Sequence, residues 1–234
     1  MTKAILFDLD GTLLPMDQEV FVKDYLGRMA AFLAPHGYAP QALIKAIWAG
    51  TGAMVKNDGK ALNEDVFWQV FNAAIGKDAK QDENLFLEFY TTIFQQSKDS
   101  CGFNSAAADT IREIKDMGYR LILATNPLFP AIATQSRIRW AGLDPEDFEF
   151  ITTYENSHFC KPNPDYYREI LGKIGLDGSE CLMVGNDVGE DMVAGTLGMK
   201  LFLLTDCLIN KAGEDIEKYP HGSFPELLRY IRSL

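Results

Sequence analysis

The chain has 234 residues, of which 47% are hydrophobic and 24% charged, a composition typical of an ordered globular protein rather than a disordered or fibrous one. The formal net charge of -11 argues against duplex nucleic acid and anionic membrane as partners, because both attract basic surfaces. The four cysteines form no C-x-x-C pair, and neither a signal-peptide pattern nor a membrane-spanning apolar run is found, so we expect a cytoplasmic protein with reduced thiols.

Short apolar segments predict buried parallel β-strands at residues 3–7, 119–125, 181–185 and 200–205. Helical patterns fill the intervals at residues 106–117, 130–141, 164–174 and 191–197, and each of them ends at a glycine or just before one. Strand and helix alternate along this part of the chain. The alternation predicts an α/β fold with a doubly wound, mostly parallel, Rossmann-like sheet.

Residues 15–102 interrupt this alternation with helical patterns alone, at residues 18–33, 40–48, 63–75 and 82–96. Three glycines at residues 50–59 predict a loop inside this region. We therefore expect two domains: an α/β core made of residues 1–14 and 103–234, and an inserted all-helical cap of residues 15–102. Pro15 and the pair Cys101-Gly102 would be the hinges between them.

Polar residues with phosphate-handling chemistry follow several of the predicted strands, where ligands of open α/β sheets bind. These residues are Asp8 and Asp10, Thr125 and Asn126, Lys161, Asn186 and Asp187, and Glu190 and Asp191. Carboxylates are suited to holding Mg²⁺, while a hydroxyl and an ammonium are suited to holding phosphate oxygens. Two carboxylates 4 Å apart repel by about 4 kcal/mol at an effective dielectric of 20, so we expect bound cation to stabilise the protein.

Four segments, DLDGTLL, ATN, KPNPDYY and VGNDVGED, resemble in order and approximate spacing the motifs of the haloacid dehalogenase-like (HAD) hydrolase superfamily. The helical insert resembles the cap of the phosphoglycolate phosphatase-like branch of that superfamily. The resemblance implies a Mg²⁺-dependent hydrolase that cleaves the phosphate monoester of a small metabolite through an aspartyl-phosphate intermediate.

The same resemblance implies a role for each matching residue. Asp8 would be the nucleophile, and Asp10 the general acid that protonates the leaving oxygen and then the base that activates water. Thr125 and Lys161 would bind the transferring phosphoryl group. The other phosphate-binding positions would be the amide of Leu9, Asn126, and Thr12, which we expect to orient Asp10 or cap the turn.

The fourth motif departs from the common pattern, in which an aspartate directly follows the glycine. Asn186 occupies that place here. Either Asp187 binds the metal together with Asp8 and Asp10, or Asn186 is a neutral ligand and Glu190 the second acid. We favour Asp187, with Asn186 and Asp191 as supporting residues, because a carboxylate binds Mg²⁺ better than an amide does.

Other interpretations remain open at this point. A dehalogenase has no need of Asp10 as an acid, whereas a sugar phosphomutase would need the same core and differ only in its product. A phosphoaccepting signalling receiver would leave the helical insert unexplained, and a binding protein with an inactive core would hydrolyse nothing. Aromatic residues of the insert, Trp48 among them, are predicted to form the core of the cap. The roles of Phe129 and Arg137, and the choice between monomer and homodimer, are undecided.

Overall fold

A computed structural model describes residues 1–234 and contains one sheet of six parallel strands in the order β3-β2-β1-β4-β5-β6. The strands are β1 (Ala4–Phe7), β2 (Arg120–Leu123), β3 (Phe150–Ile151), β4 (Cys181–Gly185), β5 (Lys200–Leu204) and β6 (His221–Gly222). β1 lies at the centre, between β2 and β4. The predicted doubly wound parallel sheet is confirmed.

Helices cover both faces of the sheet. They are α1 (Gln18–Leu33), α2 (Pro40–Val55), α3 (Asn63–Ile75), α4 (Glu83–Thr91), α5 (Ser105–Asp116), α6 (Ala131–Trp140), α7 (Pro164–Ile174) and α8 (Phe224–Ile231). Side chains along a strand point alternately to opposite faces, and β1 shows the result. Ile5 and Phe7 belong to the hydrophobic cluster that includes α5 and α8, while Ala4 and Leu6 pack with α7.

The region between β1 and α5 contains only helices, α1 to α4 with short 3-10 turns, and the predicted bounds of α1 and α3 match the structure. The prediction for α2 was too short, because the helix continues through Gly50 to Val55 instead of giving way to a loop at residue 50. At Gly50 a Cβ atom would lie 2.6 Å from the ring of Phe67 on α3, so this glycine lets the two helices pack closely. Gly50 therefore marks the contact between α2 and α3 and not a loop.

Two chain segments connect the helical insert to the core, and they contact each other. Met16 and Cys101 form an isolated antiparallel bridge, and the amide of Gly102 donates a 2.7 Å hydrogen bond to the carbonyl of Pro15. One hydrophobic cluster contains Phe21 and other insert residues together with Phe7 of β1. The division into two domains at residues 15 and 102 stays a prediction. None of the helices has the length and apolar character needed to cross a bilayer.

The remaining differences concern short or irregular elements. The two-residue strands β3 and β6 and the helix α8 were not predicted, and the predicted helix at 191–197 is a 3-10 segment at Met192–Leu197. The prediction for residues 82–96 merges α4 with a 3-10 segment at Ile93–Ser100. Trp48 is not part of a cap core as predicted, because it is 54% exposed.

Candidate active site

Three neighbouring strands bring the predicted residues to one edge of the sheet. Asp8 directly follows β1, Thr125 and Asn126 follow β2, and Asn186 and Asp187 directly follow β4. Because β2, β1 and β4 are adjacent and parallel, their carboxyl ends meet. A small cavity of about 30 Å³ lies there, lined by nine residues of which none is hydrophobic. Its lining includes Asp8, Asp10, Thr125, Asn126, Asn186 and Asp187.

Lys161, from the loop before α7, is 1% exposed and holds two carboxylates together at this edge. Its Nζ atom lies 2.8 Å from Oδ1 of Asp8 and 2.7 Å from Oδ1 of Asp191. Burial alone would lower the pKa of Lys161, but Asp191 and Asp8 raise it well above its ordinary value. Burial raises the pKa of Asp191 to about 7, against the opposing effect of Lys161. One ammonium is therefore paired with two carboxylates, so the negative charges of Asp8 and Asp191 are only partly neutralised.

The turn after β1 presents Asp8 and leaves backbone donors free. The hydroxyl of Thr12 lies 3.2 Å from Oδ2 of Asp8 and 2.9 Å from Oδ1 of Asn186, so Thr12 contacts Asp8 rather than Asp10. Gly11 has a φ of 86°, and a Cβ atom there would lie 2.3 Å from Nδ2 of Asn186, so the turn requires glycine. The amides of Leu9 and Asp10 donate to no backbone carbonyl. They can therefore receive anionic oxygens.

Asp10 is paired with a residue whose role the sequence left undecided. Arg137, on α6, is fully buried and donates from Nη1 to Oδ2 of Asp10, while the guanidinium carbon lies 4.2 Å from the centre of the Phe129 ring. Burial raises the pKa of Asp10, and Arg137 opposes that rise. The other carboxylate oxygen, Oδ1, is buried without a hydrogen-bond partner. Such an unpaired acceptor is costly unless a proton or a ligand satisfies it.

The position of Arg137 could have been suspected from the sequence. It follows Ala133 by four residues and Thr134 by three, so it shares a helix face with small residues that pack inward. Arginine is almost never fully buried unless it is paired. An arginine on the inward face of a core helix therefore indicates a buried carboxylate partner, and Asp10 is that partner.

The fourth motif places Asn186 and Asp187 side by side at the cavity with different partners. Asn186 donates from Nδ2 to the carbonyl of Cys207 at 2.7 Å. Oδ1 of Asp187 accepts from the amides of Gly189 at 2.8 Å and Glu190 at 3.0 Å. Asp191 is held by the Asp187 amide at 3.0 Å through its Oδ2. The amide side chain of Asn186 is thus engaged at both ends, whereas Oδ2 of Asp187 makes no hydrogen bond within the protein.

Asn126 links two parts of the site. Its Nδ2 donates to Oε2 of Glu190 at 3.1 Å, and its Oδ1 accepts from the amide of Lys161 at 3.3 Å. The carbonyl of Thr125 accepts from the hydroxyl of Tyr166 at 2.8 Å, which fixes the backbone while the residue lines the cavity. His158, three positions before Lys161, is instead bound to Glu169, with its Nδ1 2.7 Å from Oε1.

The donor set fits a hard cation. No group of three or more His, Cys, Asp and Glu side chains is arranged to hold a metal ion by itself. Mg²⁺ needs no such group, since it keeps several waters and uses one or two carboxylates with substrate phosphate. Asp8, Asp10 and Asp187 line the same cavity, and Oδ2 of Asp187 makes no hydrogen bond within the protein. These oxygens suit Mg²⁺.

Known proteins share this fold and sequence pattern. The chain is 24% identical over 197 residues to pyrophosphatase PpaX of Bacillus velezensis, covering 84% of this chain and 80% of that protein. A 2-haloacid dehalogenase from Pseudomonas syringae has a TM-score of 0.66 at 20% identity, covering 100% of this chain and 99% of that one. A structure described as a predicted phosphoglycolate phosphatase from Haemophilus somnus has a TM-score of 0.58 at 21% identity, covering 98% of each chain.

A family model described as "haloacid dehalogenase-like hydrolase" matches residues 2–196, which include the edge with Asp8, Lys161 and Asp187 and the whole helical insert. The fold, the order of the motifs and this match agree. The chain therefore belongs to the haloacid dehalogenase-like hydrolase family and is an enzyme.

Proposed function

We propose that this enzyme is a Mg²⁺-dependent phosphatase that cleaves the phosphate monoester of a small compound through an aspartyl-phosphate intermediate. The observation that carries the proposal is the buried Lys161 ammonium held between Asp8 and Asp191 at the edge of the sheet. A carboxylate nucleophile with an ammonium beside it can meet a phosphoryl group whose equatorial oxygens need neutralising. One relative is named a pyrophosphatase, which supports hydrolysis at phosphorus.

In the first step, an oxygen of Asp8 attacks phosphorus while the bond from phosphorus to the ester oxygen breaks. The leaving oxygen takes the proton of Asp10, whose raised pKa favours the protonated form that a general acid requires. In the second step, Asp10 accepts a proton from water, and the oxygen of that water displaces Asp8 from phosphorus. Lys161, Thr125 and the free amide of Leu9 hold the phosphoryl oxygens during both steps.

Asp8 and Asp187 would hold Mg²⁺ through carboxylate oxygens and Asp10 through its backbone carbonyl, which accepts no backbone hydrogen bond and leaves the Asp10 carboxyl free to carry the proton. Asn186 and Asp191 would support this site. Bound Mg²⁺ supplies positive charge that offsets repulsion between a phosphate dianion and the Asp8 carboxylate. The free cysteines fit a reducing compartment, and we propose a cytoplasmic location. A phosphomutase on the same core remains the second candidate, because it differs only in returning the phosphoryl group to the substrate.

A screen of phosphorylated metabolites with and without Mg²⁺ tests the proposal. We expect the wild-type enzyme to release phosphate in the presence of Mg²⁺ and Asp8→Asn to lose at least about 10³-fold in kcat. Asp109→Asn, an exposed aspartate on α5, is the matched control and should retain full activity. Phosphate release by Asp8→Asn at the wild-type rate would refute the mechanism. Isomer formation without phosphate release would identify a mutase.

A further inference from the structure

A second, much larger cavity of about 690 Å³ lies between the helical insert and the core. Helices α1, α2, α3 and α4 form its walls on the insert side, and residues 128–132 and 154–155 close it on the core side. No residue lines both this cavity and the small polar one described above. Its volume is in the range of pockets that bury a drug-sized ligand.

The large cavity begins beside the catalytic residues. On α1, Gln18 lines the polar cavity and Val22, one turn later and so about 6 Å along the helix, lines the large one. After β2, Asn126 lines the polar cavity and Leu128 the large one. Phe129, which also lines the large cavity, stacks on the arginine that pairs with Asp10. The large cavity therefore lies on the side of Asp10, the acid that serves the leaving group.

The walls of this cavity are largely apolar. Of its 24 lining residues, 17 are hydrophobic. The aromatic members include Tyr25, Trp48, Phe67, Trp68, Phe129 and Tyr154. Burying apolar ligand surface contributes roughly 25 cal/mol per Å², and aromatic rings add a face for stacking or for a cation. A small anion such as pyrophosphate or phosphoglycolate would gain nothing from these walls.

The charged groups of the cavity are mostly negative. Glu64, Glu83 and Glu155 face one cation, Lys80, in its lining. Oε1 of Glu155 accepts from the amide of Ala131 at 2.8 Å, but its Oε2 is buried without any hydrogen-bond partner. A buried acceptor of this kind needs a donor, and a charged donor makes the stronger bond. A second anionic group on the ligand would instead be repelled.

We propose that this cavity receives the leaving group of the substrate, and that this group is an aromatic or largely apolar alcohol carrying an amino group. The proposal rests on the phosphatase function proposed above and adds the substrate class to it. The phosphate would sit at Lys161 and the ring between the aromatic walls. The amine would reach the free oxygen of Glu155.

Matched aryl phosphates test the class of leaving group. The experiment compares kcat/KM for 4-(2-aminoethyl)phenyl phosphate and 4-(2-carboxyethyl)phenyl phosphate, and compares both with pyrophosphate and phosphoglycolate. The expected result is a kcat/KM for the amine at least about tenfold above that for the carboxylate, which corresponds to about 1.4 kcal/mol, and still further above the two small anions. Equal or reversed preference would overturn the inference while leaving the phosphatase function intact.

A charge variant ties the preference to the cavity. Glu155→Gln keeps an acceptor for Ala131 but loses the charge, and it should lower the ratio of amine to carboxylate severalfold, although Glu64 and Glu83 still line the cavity. The control is Glu88→Gln, an exposed glutamate on α4 outside the cavity lining, which should keep the wild-type ratio. An unchanged ratio in Glu155→Gln would count against the assignment of the amine to this residue.

Binding of the free alcohols separates the two proposals. Calorimetric titration of Asp8→Asn with tyramine and with 3-(4-hydroxyphenyl)propanoate requires no turnover. Tyramine should bind at least about tenfold more tightly. If no phosphate ester is hydrolysed but tyramine binds, the phosphatase function and the leaving-group role of the cavity both fail, while the cavity remains a binding site for an aromatic amine. If esters are hydrolysed but neither alcohol binds, the phosphatase function stands and the assignment of the cavity to the leaving group fails.

Discussion

The two cavities of this enzyme differ in almost every physical property. The small one, of about 30 Å³, lies at the ends of the core strands and has no hydrophobic lining residue. The large one, of about 690 Å³, lies mainly among the insert helices, and 17 of its 24 lining residues are hydrophobic. The first is organised by buried charges, and the second by the packing of apolar side chains.

Under the proposed function, this difference separates two tasks. Phosphoryl transfer needs charges fixed close to the reacting atoms, and short polar segments at strand ends provide them. Selection among leaving groups needs shape and apolar surface, which helices inserted between β1 and α5 provide without changing the catalytic edge. Variants of the polar cavity should therefore act mainly on kcat, while variants of the insert should act on substrate preference or on stability.

Removing Lys161 should have the largest effect. Lys161→Met leaves the buried carboxylates of Asp8 and Asp191 without their shared counter-ion, and breaking a buried pair in this way costs about 3–5 kcal/mol. The group that we propose neutralises the phosphoryl oxygens is lost as well, so kcat should fall by at least about 10³-fold. Urea denaturation and steady-state kinetics measure the two effects.

Lys60→Met is the matched control for that variant. Lys60 also contacts an aspartate, Asp58, but both side chains are exposed, so its loss should change neither the unfolding midpoint nor kcat. Comparable destabilisation by the two variants would contradict a buried, charge-balancing role for Lys161.

A second effect should be on metal affinity. Asp187→Asn keeps an acceptor for the amides of Gly189 and Glu190 but removes the charge that we assign to Mg²⁺. The Mg²⁺ concentration for half-maximal activity should rise at least about tenfold. The control is Asp206→Asn, at an exposed residue in the loop after β5, which should leave this Mg²⁺ concentration unaltered. An unaltered Mg²⁺ requirement in Asp187→Asn would assign the metal to Asn186 instead.

Replacing Arg137 should reduce turnover without weakening substrate binding to the same degree. Arg137 contacts Asp10 but does not itself line the polar cavity, so we regard it as a positioning residue. Arg137→Gln should lower kcat by about 10²-fold, the usual contribution of a general acid, while KM changes little. Arg137→Lys, which keeps a cation near Asp10, should recover part of the loss. A rise in KM at constant kcat would contradict this role.

The sequence predicted the catalytic edge better than it predicted the insert, and the reason is physical. Asp8, Thr125 and Asn186 each follow a short apolar run closely, and the alternation of strands and helices requires neighbouring parallel strands to end at one edge. Local patterns were sufficient for the four longer strands of the sheet and for the bounds of α1, α3, α7 and β4. They predicted eight of the nine residues that line the polar cavity; the ninth, Gln18 at the start of α1, carries no motif that points to it.

What could not be predicted depends on packing between distant segments. The pairing of Arg137 with Asp10 joins residues 127 positions apart, and β3 and β6 are two-residue strands defined only by their neighbours. Helical spacing indicates a core position for Trp48, but this residue lies exposed at a cavity whose walls come from several helices. Glycine weakens helices, so Gly50 indicated a loop in the sequence. In the structure it lies inside α2 and permits close packing of α2 against α3.

The smallest effect, and the most direct test of packing in the insert, comes from two glycines of the same helix. Gly50→Ala would place a methyl group 2.6 Å from the Phe67 ring and should destabilise the protein by about 1–3 kcal/mol. A methyl group at Gly52, two residues later in α2, would meet no packed neighbour within 4 Å. Gly52→Ala should therefore stabilise the protein by about 0.5–1 kcal/mol, the gain expected in a helix interior. Thermal unfolding of both variants gives the comparison.

The same pair of variants links packing in the insert to substrate preference. Because α2 and α3 line the large cavity, a shift of Phe67 in Gly50→Ala should also alter the preference among aryl phosphates, while turnover of bound ester stays near the wild-type value. Opposite signs of the stability change for the two substitutions would show that α2 is a packed helix through residue 52. Stability changes of the same sign would instead favour the loop predicted from the glycines at residues 50–59.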